Sequence, residues 1–352
     1  MKKQIYCGRV AIGGGAPISV QSMTNVDSRD EAALLRQIGE LQDAGCDIVR
    51  IAIPDMEAAE TLGRVRRQTQ MPLVADIHFD HRLAIAAIEN GADKIRINPG
   101  NIGSREKVRL VVKAAESRGV PIRVGVNSGS LEKDILEKNG GVTAEGLAES
   151  ALRSLTLIED MGFDDLAVSL KASDVRMNYQ AHRIVAEKTD HPIHIGVTEA
   201  GTVKRGKVKS AVGIGALLME GIGDTLRVSL TADPVEEVRY GIEILEAMGL
   251  RQSKVNLVSC PTCGRTKVDL QGLAEEAERR LGEADIRPGL TVAVMGCAVN
   301  GPGEAREADY GIAGGQGKGV IFAKGQLLMT VPEEELIDSL MKVIEEHERT
   351  IR

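Results

Sequence analysis

Three cysteines near the C-terminal end have the spacing of groups that do chemistry. Ser259-Cys260-Pro261-Thr262-Cys263-Gly264-Arg265 holds two thiols as a CxxC, and Gly296-Cys297-Ala298-Val299-Asn300-Gly301-Pro302-Gly303-Glu304 adds a third. Each loop follows a short apolar run that reads as a strand. If those strands pair in parallel, both loops leave the same sheet edge and the sulfurs converge. Glycines and prolines beside each thiol let the backbone fold tightly about an inorganic body. A CxxC by itself fits a redox pair or a zinc half-site equally well. The third Cys in a Gly-Pro loop favours an iron–sulfur cluster. A four-iron cluster takes four protein ligands, so the fourth must be another residue type. Glu304 in the same loop is the candidate; the alternative is a solvated loop carboxylate. An oxygen ligand would be displaceable, leaving one iron for a substrate oxygen. A structural zinc would prefer His or a fourth Cys, and this part of the chain has only His347.

A second constellation lies earlier in the chain, on eight apolar runs. They are Ser19–Met23, Asp47–Ile53, Leu73–His78, Lys94–Asn98, Ile122–Asn127, Leu166–Lys171, Ile193–Thr198 and Thr225–Leu230. Inside or just after them stand Arg50, Asp76, His78, Arg96, Asn98, Arg123, Asn127, Lys171, Thr198, Glu199, Arg227 and Ser229. Residues two apart, such as Arg96 with Asn98, point to one side of a strand. The cations are Arg50, Arg96, Arg123, Lys171 and Arg227; the carboxylates are Asp76 and Glu199. Any single Arg could be a structural ion pair with one of those carboxylates. The set leaves an excess of buried positive charge that solvent or an anion must satisfy. Arg binds phosphate in bidentate fashion, so the expected ligand is a small polyanion, a diphosphate. His78 fits either an acid–base or a hydrogen-bonded core histidine.

These residues need elements to hold them. The eight runs recur about 29 residues apart, with helical patterns between them. Asp30–Leu41 and Val235–Met248 carry apolar residues at a 3.6 period. A weak repeat ends several helices: Gly45-Cys46-Asp47, Gly91-Ala92-Asp93, Gly162-Phe163-Asp164 and Gly223-Asp224. Gly suits the left-handed helix terminus. Eight such units predict an α/β fold with an N-terminal TIM (β/α)8 barrel over residues 1–250. After a polar linker, Arg251–Lys254, a small α+β iron–sulfur domain is expected over 255–352. Its expected elements are strands at Val255–Val258, Thr291–Met295, Tyr310–Ile312, Val320–Ala323 and Leu327–Val331, and helices at Leu270–Leu281 and Glu333–Glu346. The length of 352 residues, 43% hydrophobic and 27% charged, suits two soluble domains. A net charge of −7, aromatics at 2% and no Trp argue against nucleic-acid binding. Five cysteines without an apolar leader argue against a disulfide framework. No run matches a membrane helix, and a cytoplasmic enzyme is expected.

Cys-Pro-Thr-Cys-Gly-Arg at 260–265 with Gly-Cys-Ala-Val-Asn-Gly-Pro-Gly-Glu-Ala at 296–305 resembles the 4-hydroxy-3-methylbut-2-en-1-yl diphosphate synthase family. Val20-Gln21-Ser22-Met23-Thr24-Asn25, Val74-Ala75-Asp76-Ile77-His78-Phe79 and Arg96-Ile97-Asn98-Pro99-Gly100-Asn101 agree with it. The resemblance covers nearly the whole chain, in the compact two-domain bacterial form. It implies a late step of the non-mevalonate isoprenoid pathway. There 2-C-methyl-D-erythritol 2,4-cyclodiphosphate takes two electrons, opens its ring and loses water to give the linear allylic diphosphate. It further implies a [4Fe-4S] cluster on Cys260, Cys263, Cys297 and Glu304. By the same resemblance Arg50, Asp76, Arg96, Asn98, Arg123, Asn127, Lys171, Thr198, Glu199, Arg227 and Ser229 line the substrate site, and flavodoxin or ferredoxin donates electrons. Glu199 is the candidate proton donor to the departing hydroxyl, being at the ligand-facing end of its strand.

The linker Arg251–Lys254 spans at most about 14 Å, against about 21 Å for the preceding helix. That helix runs away from the barrel mouth, so the cluster domain is not expected to fold over its own barrel. A head-to-tail homodimer with an active site shared between chains is expected instead. The competing enzyme reading is a phosphate- or pterin-binding barrel transferase or lyase with a zinc-stabilised C-terminal domain. A third makes that domain a metal-dependent module on an inactive barrel.

Overall fold

The computed structural model describes residues 2–297 and 305–351. The chain divides into two compact units, Met1–Arg251 and Gln252–Arg352. The first unit opens with an antiparallel hairpin, β1 (Gln4–Cys7) and β2 (Val10–Gly13). Eight parallel strands follow: β3 (Ser19–Met23), β4 (Ile48–Ala52), β5 (Leu73–Asp76), β6 (Lys94–Ile97), β7 (Ile122–Asn127), β8 (Leu166–Lys171), β9 (His194–Ile195) and β10 (Thr225–Leu226). Their order is β8-β7-β6-β5-β4-β3-β10-β9. A parallel bridge between Val168 and Ile193 joins the two ends, so the sheet is a nearly closed barrel.

Local chemistry repeats around this ring. Asp30, Asp55, Asp80, Asp174 and Asp233 each cap the helix that follows by accepting a backbone N–H. The Gly-x-Asp repeat does a second job. Gly45, Gly91 and Gly223 turn the chain at φ of 89°, 90° and 126°. The Asp that follows reaches across to the preceding strand. Asp47, Asp93 and Asp224 accept the Val20, Leu73 and Ile193 N–H groups, each at 2.7 Å. Each carboxylate thereby pins the start of one strand to the start of the next.

β9 and β10 are shorter than their apolar runs. The expected strands to Thr198 and Leu230 end at Ile195 and Leu226. Pairing continues as single bonds, Arg227 N–H to Ile195 O at 3.0 Å and Thr198 N–H to Ala172 O at 3.4 Å. The cause is a close approach at Gly196, where a Cβ would come within 2.4 Å of the Arg227 carbonyl. Thr198, Arg227 and Ser229 therefore stand beyond the regular ladder.

The hairpin is absent from the pattern of eight apolar runs. Gly8, at φ 55°, begins its two-residue turn. Ile5, Cys7 and Ile12 pack on Ile48, Val74 and Ala167, residues at the N-terminal ends of barrel strands, and so close the barrel floor. Lys94 is fully buried, and its Nζ has no partner among the described residues.

The second unit is a five-stranded sheet ordered β11 (Val255–Ser259), β12 (Leu290–Met295), β13 (Tyr310–Gly314), β14 (Lys318–Ala323) and β15 (Gln326–Pro332). The first three strands are parallel and the last two antiparallel. Helices Leu270–Glu283 and Leu336–Ile351 share one apolar cluster with Val292, Val294, Ile312 and Ile321. The expected helix at Glu333–Glu346 begins later, after a 3-10 turn at Glu333–Glu335. Asp309 repeats the barrel's device, accepting the Thr291 N–H at 3.0 Å.

Burial pushes the Lys94 ammonium down to about 8, against its usual 10.5; Cys7 partly opposes the shift and Arg123 adds to it. Between those values the unfolded chain binds more protons, so this group makes stability rise with pH. Below about pH 8 Lys94 is charged in both states and its penalty is complete. Lys94→Met is expected to raise the unfolding free energy at pH 7, on the order of 2–4 kcal/mol, and to flatten the rise between pH 8 and 10.5. Guanidinium unfolding of both proteins across that range measures it; a variant no more stable at pH 7 contradicts the unpaired assignment.

Candidate active site

The barrel interior brings the strand-borne charges together. Arg96 is opposite Asp76 in the β5–β6 register, and Arg123 opposite Arg96 in β6–β7. Asp76 is 2% exposed and is the hub of one network. Its oxygens face Arg96 Nη1 at 3.3 Å, His78 Nε2 at 3.4 Å and Arg50 Nε at 3.9 Å. Burial acts to raise the Asp76 carboxyl, but Arg50, His78 and Arg96 outweigh it and hold it far below the usual carboxylate range. Arg96 also donates to the Gly125 carbonyl at 3.1 Å. Gly125 is required there, since a Cβ would lie 2.1 Å from Arg96 Nε.

A second network sits on the opposite side of the ring. Glu237, buried in helix Pro234–Ala247, accepts the Leu230 N–H at 2.8 Å and faces Arg227 Nη2 and Ser22 Oγ, each at 3.3 Å. This corrects the expected ion pairing. Glu199 is exposed, at φ 51°, and pairs with none of the described cations. It lies on a left-handed turn after β9, and the ion pair with Arg227 is made by Glu237 instead. Glu237 falls at a core-facing helix position, one residue before Val238, which is the signal that marks it.

The positive excess remains. Arg123 is fully buried and donates to Gln21 Oε1 at 3.1 Å, while its Nε and Nη2 find no partner among the described residues. Arg227 Nε is likewise unpartnered. Burial, then repulsion from Arg227, Arg50, Arg123 and Arg96, pushes Lys171 well below its ordinary value. Burial, then Arg50 and Arg96, does the same to Arg123. The five cations therefore repel one another across the barrel interior. Asn127 is opposite Lys171 in register, and Asn98 caps helix Pro99–Ile102. His78 keeps its bond to Asp76 but is 53% exposed at the mouth, so it is no core histidine.

In the second unit the two cysteine loops leave neighbouring strands. β11 and β12 are parallel with Ser259 opposite Val294, so Cys260 and Cys297 follow the same ends of adjacent strands. The Gly296 N–H donates to Cys260 Sγ at 3.3 Å, tying one cysteine loop to the other. Backbone donation from Arg265, with smaller help from Thr266, lowers the thiol of the exposed Cys263. Gly296 packs against Thr266 so closely that a Cβ would sit 2.9 Å from its methyl. Donors aimed at thiolate sulfur and a tight glycine cradle fit an iron–sulfur body. Glu304, the fourth expected ligand, lies outside the described residues.

Comparison with known proteins follows this geometry. A model of the GcpE TIM-barrel domain matches residues 2–242, and one of the GcpE protein C-terminal domain matches 256–346. The chain belongs to the GcpE family of 4-hydroxy-3-methylbut-2-en-1-yl diphosphate synthases. It is 58% identical over 343 residues to the 4-hydroxy-3-methylbut-2-en-1-yl diphosphate synthase (flavodoxin) of Geobacter sulfurreducens, covering 97% of each chain. It is 56% identical to the enzyme of that name from Caldanaerobacter subterraneus subsp. tengcongensis, covering 98% of this chain and 97% of the relative. The barrel alone resembles the Yersinia pestis dihydropteroate synthase structure, at a TM-score of 0.50 and 13% identity over 71% of this chain and all of that one. That likeness shows the fold only. GcpE membership makes the chain an iron–sulfur-type oxidoreductase of isoprenoid biosynthesis and disfavours the transferase or lyase alternative. No helix among the described residues is long and apolar enough to cross a membrane.

Glu237→Gln keeps an acceptor for the Leu230 N–H but removes the charge facing Arg227. It is expected to weaken inorganic pyrophosphate binding by about tenfold, which is about 1.4 kcal/mol. Calorimetric titration reads this; unchanged affinity in a destabilised variant would confine Glu237 to a structural role.

Proposed function

We propose that this chain reduces 2-C-methyl-D-erythritol 2,4-cyclodiphosphate to (E)-4-hydroxy-3-methylbut-2-enyl diphosphate. The ring carbon–oxygen bond breaks, water leaves, and two external electrons enter. The observation that carries the reading is the unneutralised positive charge inside the barrel. Among the described residues, Arg123 and Arg227 hold unpartnered donors beside Arg50, Arg96 and Lys171, against the carboxylates of Asp76 and Glu237. A cyclic diphosphate supplies the missing negative charge, and its oxygens supply the missing acceptors. Fixed cations also stabilise the phosphate oxygen as the ring opens, in a buried space where such interactions are strong. Asn98, Asn127, Thr198 and Ser229 add neutral donors at the mouth, suited to the substrate's hydroxyl groups. Asp76 orients Arg50 and Arg96 rather than contacting an anion directly.

A [4Fe-4S] cluster held by Cys260, Cys263, Cys297 and Glu304 would supply single electrons. The bond from the Gly296 N–H to Cys260 Sγ stabilises negative charge on that sulfur. Glu199 gives a proton to the leaving hydroxyl. Its left-handed φ of 51° is a strained setting for a non-glycine residue, of the kind that collects at functional sites. The name of the flavodoxin-linked relatives supports flavodoxin as the electron donor. The short Arg251–Lys254 connection supports a homodimer in which each barrel works with the other chain's cluster, in the cytoplasm.

Anaerobically purified protein is expected to hold about four iron and four sulfide per chain, and to turn over the cyclic diphosphate with a low-potential reductant. Arg123→Met should lose at least tenfold in substrate affinity with iron content intact. Cys297→Ser should lose the cluster and leave pyrophosphate binding intact. One zinc and no sulfide in the wild type would overturn the reading.

A further inference from the structure

Helix Val175–Lys188 follows β8, and its buried face carries Asn178, Ala181, His182 and Val185. Ala181 and Val185 belong to the main apolar core. An Asn on such a face costs stability unless its amide is used, and Asn is a poor helix former besides. Asn178 is fully buried, and its Oδ1 accepts the Ala172 N–H at 3.1 Å. Ala172 comes directly after Lys171, the last residue of β8. The bonded N–H therefore belongs to the peptide that follows Lys171.

In a regular barrel that N–H would go to the next strand. Val168 donates to the Pro192 carbonyl at 2.9 Å, beside its bridge to Ile193. Every second residue of a parallel strand donates to the same neighbour, so Ala172 would meet the Gly196 carbonyl. By then β9 has ended, at Ile195. The backbone at Gly196 has instead closed on Arg227, where a Cβ would come within 2.4 Å of the Arg227 carbonyl. The Thr198 N–H still reaches the Ala172 carbonyl, at a long 3.4 Å. Asn178 supplies from a helix the acceptor that the ladder would have supplied.

Lys171 is where this matters. It is 8% exposed, and Arg227, Arg50, Arg123 and Arg96 all repel it. Its Nζ lies 3.1 Å from where a Gly196 Cβ would be. Repulsion favours any backbone rotation that carries the ammonium away. The rotation available is ψ of Lys171, which turns the very peptide that Asn178 holds. His182 braces the arrangement. Its Nδ1 is 2.7 Å from the Asn178 carbonyl and must donate to it. Burial pushes the imidazole down to about 4, so it adds no charge beside Lys171.

We infer that Asn178 is a positioning residue for anion binding. Through the Ala172 peptide it fixes the direction of Lys171 and keeps the Thr198 end of the next segment beside it. The inference rests on the anion-site reading above and extends it to a residue on the helix side of the barrel wall.

The test is calorimetric titration of the full chain with inorganic pyrophosphate. Asn178→Leu and Asn178→Ala both remove the acceptor, with and without retained bulk. Each should weaken binding about tenfold, a modest cost for a misplaced binding group. Asn178→Asp keeps an acceptor oxygen and should bind more tightly than either. Val185→Ala loosens the same helix without touching Ala172; it should lower the thermal midpoint and keep wild-type affinity. In a Lys171→Met background, Asn178→Ala should cost no more than about twofold, because the two changes act on one group. Wild-type affinity in both acceptor-less variants overturns the role. So does an equal loss in Val185→Ala, an Asp variant no better than the Ala variant, or the full loss persisting without Lys171. Each of these leaves the anion site standing. A wild type that does not bind pyrophosphate overturns both.

Discussion

Most of this molecule can be understood from one constraint: five cations converge inside a barrel with two buried carboxylates to answer them. TIM-barrel interiors are ordinarily filled by branched aliphatic side chains in layers. Here the middle of the barrel is Arg50, Arg96 and Arg123, with Lys171 and Arg227 beside them. Each must be held in place against repulsion from the others. Asp76 divides itself between Arg50 and Arg96, and Glu237 reaches in from a helix to hold Arg227. Two glycines make the room. A side chain at Gly125 would strike Arg96, and one at Gly196 would approach Lys171 Nζ to 3.1 Å. The hairpin Gln4–Gly13 seals the floor, so the charge faces a single mouth. The cost is borne by the folded barrel and offset when a polyanion binds, which is what preorganised binding means energetically.

That constraint also explains what could be read in the sequence and what could not. The cations were legible because strands impose a period of two and charged residues are rare on strands buried on both faces. β3, β7 and β8 begin and end where their apolar runs do. β9 and β10 do not, because the backbones close up at Gly196, a contact with no sequence signature beyond the glycine itself. Glu237 has no signature on the strands, because its carboxylate arrives from a helix; a Glu beside Val238 on the buried stripe is its one sign in the sequence. The hairpin does not stand out in the sequence, because two four-residue strands carry too few alternations. In the second unit the two cysteine loops were legible as a pair because parallel pairing of β11 and β12 follows from strand–helix–strand order.

The division of labour among the carboxylates bears on the mechanism. A group that donates a proton must hold one near neutral pH and present it at the mouth. Asp76 cannot, since Arg50, His78 and Arg96 hold it ionised far below the usual range. Both oxygens of Glu237 are occupied, one by the Leu230 N–H and one by Arg227 and Ser22. His78 reaches the mouth, but its Nε2 is tied to Asp76. Of Asp76, Glu237 and Glu199, only Glu199 is exposed and free of ion pairs among the described residues. The two buried carboxylates are thus committed to holding cations in place, and the turn after β9 presents the one that is not.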